Sequence, residues 1–235
     1  MRARFRPGAG STAKPFDIRD VEAIQTQISS LKAVAPVVES SVTVVYGAKN
    51  WSTSVVGTTN DYFIASNWKF ASGRSFSDAE LQSGKSVCVI GDTIRRELFG
   101  GKDPIGNSMR IKNFSGEVIG VLAGKGQGGM GRDQDDMVVM PLRTVQRRVA
   151  GNQDIGMMML SVKDGVLSDD VVNQLNLLLR ERRRITAGKE DNFDIMDTKE
   201  IAQTLSGTTK TLTGLLGAVA AVSLLVGGIG IMNIM

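Results

Sequence analysis

The sequence predicts an α+β fold: a split βαβ domain carrying a smaller inserted α+β subdomain, followed by a C-terminal transmembrane helix. Three observations predict it. A strand-helix-strand order occurs near the start of the chain and again after Pro141. Between these stretches, residues 58–142 change to short β-branched runs punctuated by glycine. Finally, no charged residue follows Lys210, which leaves 25 uncharged and mostly apolar residues from Thr211 to Met235.

The 235 residues are 42% apolar and 22% charged, with a formal charge of +4, a composition that supports a packed core rather than a disordered chain. There is no histidine. Its absence removes the usual general base, the usual zinc ligand, and any Ser-His-Asp or Cys-His nucleophile. Cys88 is the single cysteine, so no intrachain disulfide can form; within Val87–Ile90 it reads as a small buried side chain.

The elements follow in order. Ala3–Arg6 reads as a short strand ended by Pro7-Gly8, and residues 8–15 as a polar connection. Residues 17–31 place Ile18, Val21, Ile24, Ile28 and Leu31 on one helical face, with Asp17 as N-cap and Pro36 closing the connection that follows. Val37–Val45 and Trp51–Gly57 are strands around a hairpin signal at Tyr46–Asn50. In the insert, Ser77 and Glu80 match a capping box. Ser86–Ile90, Met109–Ile111, Glu117–Leu122 and Met137–Met140 read as strands, and Asp92–Phe99 as a helix stopped by Gly100-Gly101. The second half of the split domain consists of a helix at Arg143–Ala150, a strand at Met157–Val162 and a strand at Phe193–Met196. Between those strands, a helix from Ser168 to about Arg183 turns Val171, Val172, Leu175, Leu178 and Leu179 inward. The two strand-helix-strand sets are expected to share one antiparallel sheet.

A last helix is expected from Thr198 into the membrane, because residues 198–235 contain no proline. The 25 uncharged residues would reach about 37 Å as a helix, enough to span a bilayer. Gly214 and Ala218, Gly217 and Ala221, and then Gly227, Gly228 and Gly230 offer small-residue faces for helix packing. Asn233 is the one strongly polar side chain at that depth and needs a partner, which makes it a packing or coupling candidate. The opening residues carry arginines but no apolar run behind them, so they do not read as a signal peptide. With the span at the very end, the chain is expected to be part of a larger membrane protein.

Candidate chemistry is sparse. The glycine-rich stretch Gly124–Gly131 has near-dinucleotide spacing, but a strand rather than a helix follows it, and no GxxxxGK[ST] occurs anywhere. It reads as a mobile surface loop with Gln127 and Met130 displayed for a partner or substrate. Asp133, Asp135 and Asp136 lack the later glycine and glutamate of a calcium loop and read as a solvated turn. The basic run Arg180–Arg184 complements a helix C-terminus and has no aromatic platform beside it, so no nucleic acid is expected as partner. No catalytic, metal or cofactor site is expected.

Several blocks together carry a resemblance: Val56-Gly57-Thr58 leading to Asp61-Tyr62-Phe63; Gly73-Arg74-Ser75-Phe76; Val89-Ile90-Gly91; Leu98-Phe99-Gly100; Asp103-Pro104-Ile105-Gly106; Val118–Leu122; Asp135-Asp136 before Val138–Pro141; and the closing VGGIGIMNIM. In this order and spacing, from about residue 16 to 235, they resemble the MacB family of ABC transporter permeases. The resemblance implies an inner-membrane protein whose soluble domain lies in the periplasm between the first and second membrane helices. A split porter-like subdomain would occupy 1–57 and 143–203, an inserted Sabre-like subdomain 58–142, and a stalk entering a truncated membrane helix 204–235. It further implies a homodimer powered by an ABC ATPase domain that holds ATP and Mg elsewhere. In the MacB branch, movement passed outward would drive tripartite efflux through a periplasmic adaptor and an outer-membrane channel. A lipoprotein-releasing or peptide-sensing permease of the same superfamily, and a single-span membrane-anchored binding module, are the alternatives.

Overall fold

A computed structural model of the protein describes residues 1–5, 15–128, 131, 133–186, 188–197 and 212–220. Met1–Ile195 form one compact unit and Met196–Met235 a second. In chain order the elements are β1 (Arg2–Phe5), α1 (Ile18–Gln27), β2 (Leu31–Tyr46), β3 (Lys49–Thr58), α2 (Asp61–Ala65), β4 (Phe70–Gly73), α3 (Asp78–Ser83) and β5 (Val87–Ile90). Next come α4 (Asp92–Ile94), which widens into a π turn at Arg95–Phe99, then β6 (Ser108–Ile111), β7 (Phe114–Leu122) and β8 (Met137–Pro141). The last are α5 (Leu142–Val145), widening likewise at Gln146–Ala150, β9 (Met157–Val162), α6 (Ser168–Arg182) and β10 (Phe193–Met196).

The strand order is β10-β1-β9-β2-β3-β8-β5-β7-β4, with β6 joining β2 to β7. Its first four strands interleave the two halves of the chain, β1-α1-β2 with β9-α6-β10, which is the split βαβ arrangement expected from the sequence. The other pairings close a ring: β2 with β3, β3 with β8, β8 with β5, β5 with β7, β7 with β6, and β6 back to β2. Closure gives every strand in the ring a neighbour on each side over part of its length and removes most of the exposed backbone that an open sheet presents. The inside of the ring is filled to contact. A Cβ added at Gly116 would sit 3.0 Å from Ile111, 3.5 Å from Met140 and 3.6 Å from Cys88. Cys88 is fully buried there, its Sγ–H directed at the Glu117 carbonyl at 3.4 Å, and burial pushes the thiol well above its ordinary pKa. This is an inert core cysteine.

β2 is common to both arrangements. Over Leu31–Val37 it pairs with β9; over Val38–Tyr46 it pairs with β3, and at Val44–Val45 also with β6. Strand alternation then separates two cores. Val34, Val38, Val55, Cys88, Ile90, Val138, Met140, Met158 and Leu160 share one with Val21 and Ile24 of α1 and Leu175 and Leu179 of α6. Ala35, Val37, Val56, Val87, Val89, Val139 and Met159 share the other with Tyr62 and Phe63 of α2, Trp68 and Phe76. The strands between the two cores bury both faces: β5 is buried at all four positions and β8 from Val138 to Pro141.

Two expectations at the start of β2 are corrected. The first helix ends at Gln27 instead of Leu31: Ile28 leaves helical geometry at φ −109°, ψ 86°, and Leu31 opens the strand. Both are buried, so the apolar period continues past the helix end, while Ile18, placed on that face, is 46% exposed. The N-terminus of α1 is as expected, with Asp17 Oδ1 accepting from the Asp20 amide at 3.0 Å and Asp20 Oδ2 from the Asp17 amide at 3.2 Å. Pro36, read as a closing residue, lies inside the strand opposite Met158. Its position is tolerated for a directional reason. Val34, two residues earlier, turns its amide away from β9 to Asp61 Oδ2 at 3.3 Å and its carbonyl to Gln25 Nε2 at 3.3 Å. Pro36 faces the same way by period two, where β3 has not yet begun, so no ladder bond is lost.

Several blocks of the resemblance are packing devices. Gly57 lies where an added Cβ would come within 2.5 Å of Val145 Cβ on α5. Gly73 adopts φ +78° with an added Cβ 2.3 Å from the Ile119 carbonyl. Beside it, Arg74 makes a two-pronged bond to Glu80 at 2.8 and 2.9 Å. Glu80 also accepts from the Ser77 amide at 2.9 Å, closing the capping box that starts α3. The Arg74 guanidinium and the Ser77 amide hold the Glu80 carboxyl down at about 2, below its ordinary value of 4.5.

Gly57→Ala is expected to lose about 1–3 kcal/mol from overpacking, and the added change Val145→Ala to return part of that loss; urea unfolding of the four members of the cycle measures it. Because the pKa of Glu80 is depressed on folding, its contribution is present above about 4.5 and disappears as the pH falls through about 2. Glu80→Gln should cost about 1–3 kcal/mol at neutral pH and flatten the acid limb of the stability profile.

Candidate functional site

The loop between β7 and β8 carries Gln127 and Met130, and its described part is folded tightly onto the barrel. Asp135, only 4% exposed, is its anchor: its carboxylate accepts from the Lys125 amide at 2.8 and 3.1 Å and from the Gly126 amide at 2.8 Å. The Asp135 amide in turn donates to Asp133 Oδ1 at 2.9 Å, and Thr93 Oγ1 on α4 donates to Asp133 Oδ2 at 2.6 Å. Trp51 Nε1 on β3 donates to Asp136 Oδ1 at 3.0 Å. The solvated-turn reading of the three aspartates is thus corrected, because each carboxylate accepts a bond that ties the loop to itself or to the barrel. Gly91 completes the fit, since a Cβ there would come within 2.0 Å of the Asp135 carbonyl oxygen.

Lys125 seals the opposite side. Its ammonium lies 3.8 Å from the centre of the Trp68 ring and donates to the Ser66 carbonyl at 2.6 Å. Burial lowers its pKa from the ordinary lysine value, with the nearby Asp135 acting in the other direction. Gln127 is exposed and forms an isolated antiparallel bridge with Asp133, which narrows the loop above this base. Met130 lies outside the described residues, so Gln127 is the displayed residue that the structure places. Sequence reading missed Thr93, Trp51, Trp68 and Lys125. A usable signal was present: the chain has two tryptophans, and both touch this loop.

Three arginines of the basic run at the end of α6 are committed within the fold. Arg180 pairs with Asp191, Arg182 Nε donates to Asp20 Oδ1 at 2.8 Å, and Arg183 lies over the Phe16 ring at 4.4 Å while donating to Asn192 at 2.8 Å. Burial lowers the pKa of Arg183, and the nearby Asp20 and Asp17 oppose that shift.

In the second unit, residues 212–220 are helical, with Leu212, Leu215, Leu216 and Val219 between 56% and 71% exposed. Space is open around Gly214 and Gly217. No helix among the described residues is long and apolar enough to cross a membrane. The packing and coupling candidates Gly227, Gly228, Gly230 and Asn233, and most of the expected helix from Thr198 onward, lie outside the described residues.

Comparisons with known proteins agree with the fold. A family model described as the MacB-like periplasmic core domain matches residues 2–178. A macrolide export ATP-binding/permease protein MacB from Bdellovibrio bacteriovorus is 40% identical over 223 residues, covering 94% of this chain and 34% of that protein. The protein of the same name from Syntrophobacter fumaroxidans is 32% identical over 285 residues, covering 98% of this chain and 39% of that protein. The chain therefore spans little more than a third of these relatives. Among solved structures, the periplasmic region of MacB from Actinobacillus actinomycetemcomitans superposes with a TM-score of 0.73 at 23% identity, over 87% of this chain and 91% of that one. The extracellular domain of YknZ, a noncanonic ABC-type transporter from Gram-positive bacteria, gives 0.68 at 18% identity, over 84% and 99%.

Asp135→Ala, which leaves two amides without their acceptor, is expected to cost about 1–3 kcal/mol. It should also speed hydrogen exchange at Lys125 and Gly126 and shift the tryptophan emission, both read on the chain under native conditions.

Proposed function

Because the chain belongs to the MacB-like periplasmic core domain family, we propose that it is the extracytoplasmic part of an inner-membrane ABC permease and passes ATP-driven movement outward to expel substrate from the periplasm. The family match over residues 2–178 carries this reading, and the uncharged stretch from Thr211 to Met235 supports attachment to the bilayer. The ATP-hydrolysing domain, with its ATP and Mg, lies outside this chain, which contains no phosphate-binding GxxxxGK[ST]. In the full protein two copies work as a homodimer, and in the MacB branch a periplasmic adaptor and an outer-membrane channel continue the path.

The part played by the described residues is mechanical. The porter-like subdomain (1–57 and 143–203) and the Sabre-like subdomain (58–142) act as a stiff head, with β2 common to the sheet and the closed ring. The stalk, 204–235, acts as a lever that converts closure of the dimer in the membrane into movement of the paired heads. Gly227, Gly228 and Gly230 let neighbouring helices approach, and Asn233 supplies a polar contact between them. The glycine-rich loop, with Gln127 and Met130, faces the partner or substrate.

The lever is tested in the full permease reconstituted with its ATPase. A proline placed between residues 205 and 211 should break helical continuity, leave ATP hydrolysis measurable and abolish transport. Transport at the unaltered rate would refute the lever.

A further inference from the structure

Two neighbouring strands of the ring are followed by the same local structure, and the two copies differ in charge. α4 leaves β5, widens into the π turn at Arg95–Phe99 and stops at Gly100; α5 leaves β8, widens at Gln146–Ala150 and stops at Gly151, both glycines in left-handed geometry. With the glycines aligned, Thr93 matches Thr144, Ile94 matches Val145, Arg96 matches Arg147 and Leu98 matches Val149. All but the arginines are buried. The arginines of α4 are neutralised within their own helix, because Asp92 in its first turn pairs with Arg95 at 2.7 Å and with Arg96 at 3.3 Å. α5 has Arg143 where α4 has Asp92, so Arg147 follows a like charge four residues earlier. Like charges at that spacing destabilise a helix, and a cation in the first turn opposes the helix dipole.

Arg148 and Lys112 extend the same positive surface. Arg148 lies over the Phe114 ring at 5.4 Å, and Lys112, at the turn between β6 and β7, donates to the Val149 carbonyl at 3.3 Å. At the other end of α5, Arg143 donates to the Gln82 carbonyl at the end of α3 at 2.7 Å. These contacts orient the side chains and leave their charges uncompensated. Lys112, Arg143, Arg147 and Arg148 are all exposed, and among the described residues none of the four pairs with a carboxylate. Glu80 on α3, which packs against α5, is already engaged by Arg74 and Lys85.

We infer that this ridge docks a carboxylate-rich segment of another protein, with Arg147 and Arg148 as the principal donors and Arg143 and Lys112 at its two ends. Charge complementarity selects the partner: an acidic segment laid along the ridge removes the repulsion that the isolated chain retains there. A planar guanidinium also suits a carboxylate, which it can hold through two parallel N–H donors. An anionic bilayer fits less well. Interfacial binding needs apolar side chains that enter the acyl boundary, and the aromatic side chain of the ridge, Phe114, is partly buried beneath Arg148. The surface exists whether or not the head moves substrate, so its failure would leave the transport reading untouched.

The test uses the whole chain in a non-ionic detergent and a fluorescein-labelled decaglutamate peptide, with binding followed by fluorescence anisotropy. A saturable rise is expected that weakens as salt is added, and none with a serine-glycine peptide of the same length. Arg147→Glu, at an exposed position without a bond to break, should weaken binding about tenfold. Arg143→Asp, which gives α5 the acid that α4 has, should weaken it as well. Lys32→Glu is the control: it changes the net charge as much as Arg147→Glu does, at an exposed position at the start of β2, and should leave the affinity unchanged. No saturable binding, undiminished affinity in Arg147→Glu, or an equal loss in Lys32→Glu would overturn the assignment. Stronger competition by dihexanoylphosphatidylglycerol than by unlabelled decaglutamate would overturn it too, by assigning the ridge to a lipid surface.

Discussion

Most of the first unit depends on one strand keeping its register for sixteen residues. β2 pairs with β9 until Val37, changes partner to β3 at Val38, and gains β6 at Val44. Pairing in two bodies of structure is therefore written into one uninterrupted alternation of side chains. The price would be a lost backbone bond at Pro36, were it not that the proline nitrogen falls on the side with no ladder to supply, the side where Asp61 and Gln25 have already taken over the backbone of Val34.

Much of this was legible in the sequence. Asp17 and Ser77 announced their helices because a capping side chain acts on amides two or three residues away, and Gly100 and Gly151 ended theirs by adopting left-handed geometry. The interleaved βαβ pair was readable from element order. The continuation of β2 through Pro36 was not, because it depends on which way a backbone group faces, and composition carries no record of that. The short α2 and β4 were missed for a related reason: five and four residues are too few for a period to show. Closure of the ring was also hidden, since β6 meets β2 across a long separation in sequence.

The loop shows the same division. Its glycines and aspartates stood out, but the aspartates gave no sign of facing inward. Asp135 belongs to the fold because the amides of Lys125 and Gly126 turn toward it, an arrangement set by backbone conformation. Both tryptophans lie against this base from opposite sides, Trp51 through Asp136 and Trp68 under Lys125. The displayed residue Gln127 thus rises from a braced platform.

Because β2 serves two sets of neighbours in succession, a single amino acid inserted or deleted after Val37 would leave its pairing with β9 untouched while turning Val38 and Val44 from one face to the other. The ring would then confront its own interior with side chains meant for the outside. Gain or loss of length in descendants of this chain is tolerable at the hairpin tip, Gly47-Ala48, or in connections such as 151–154, and is penalised along the strand itself. The boundary between the two arrangements is consequently fixed in counting terms as well as in space, and the lineage can lengthen its loops far more readily than it can move that seam.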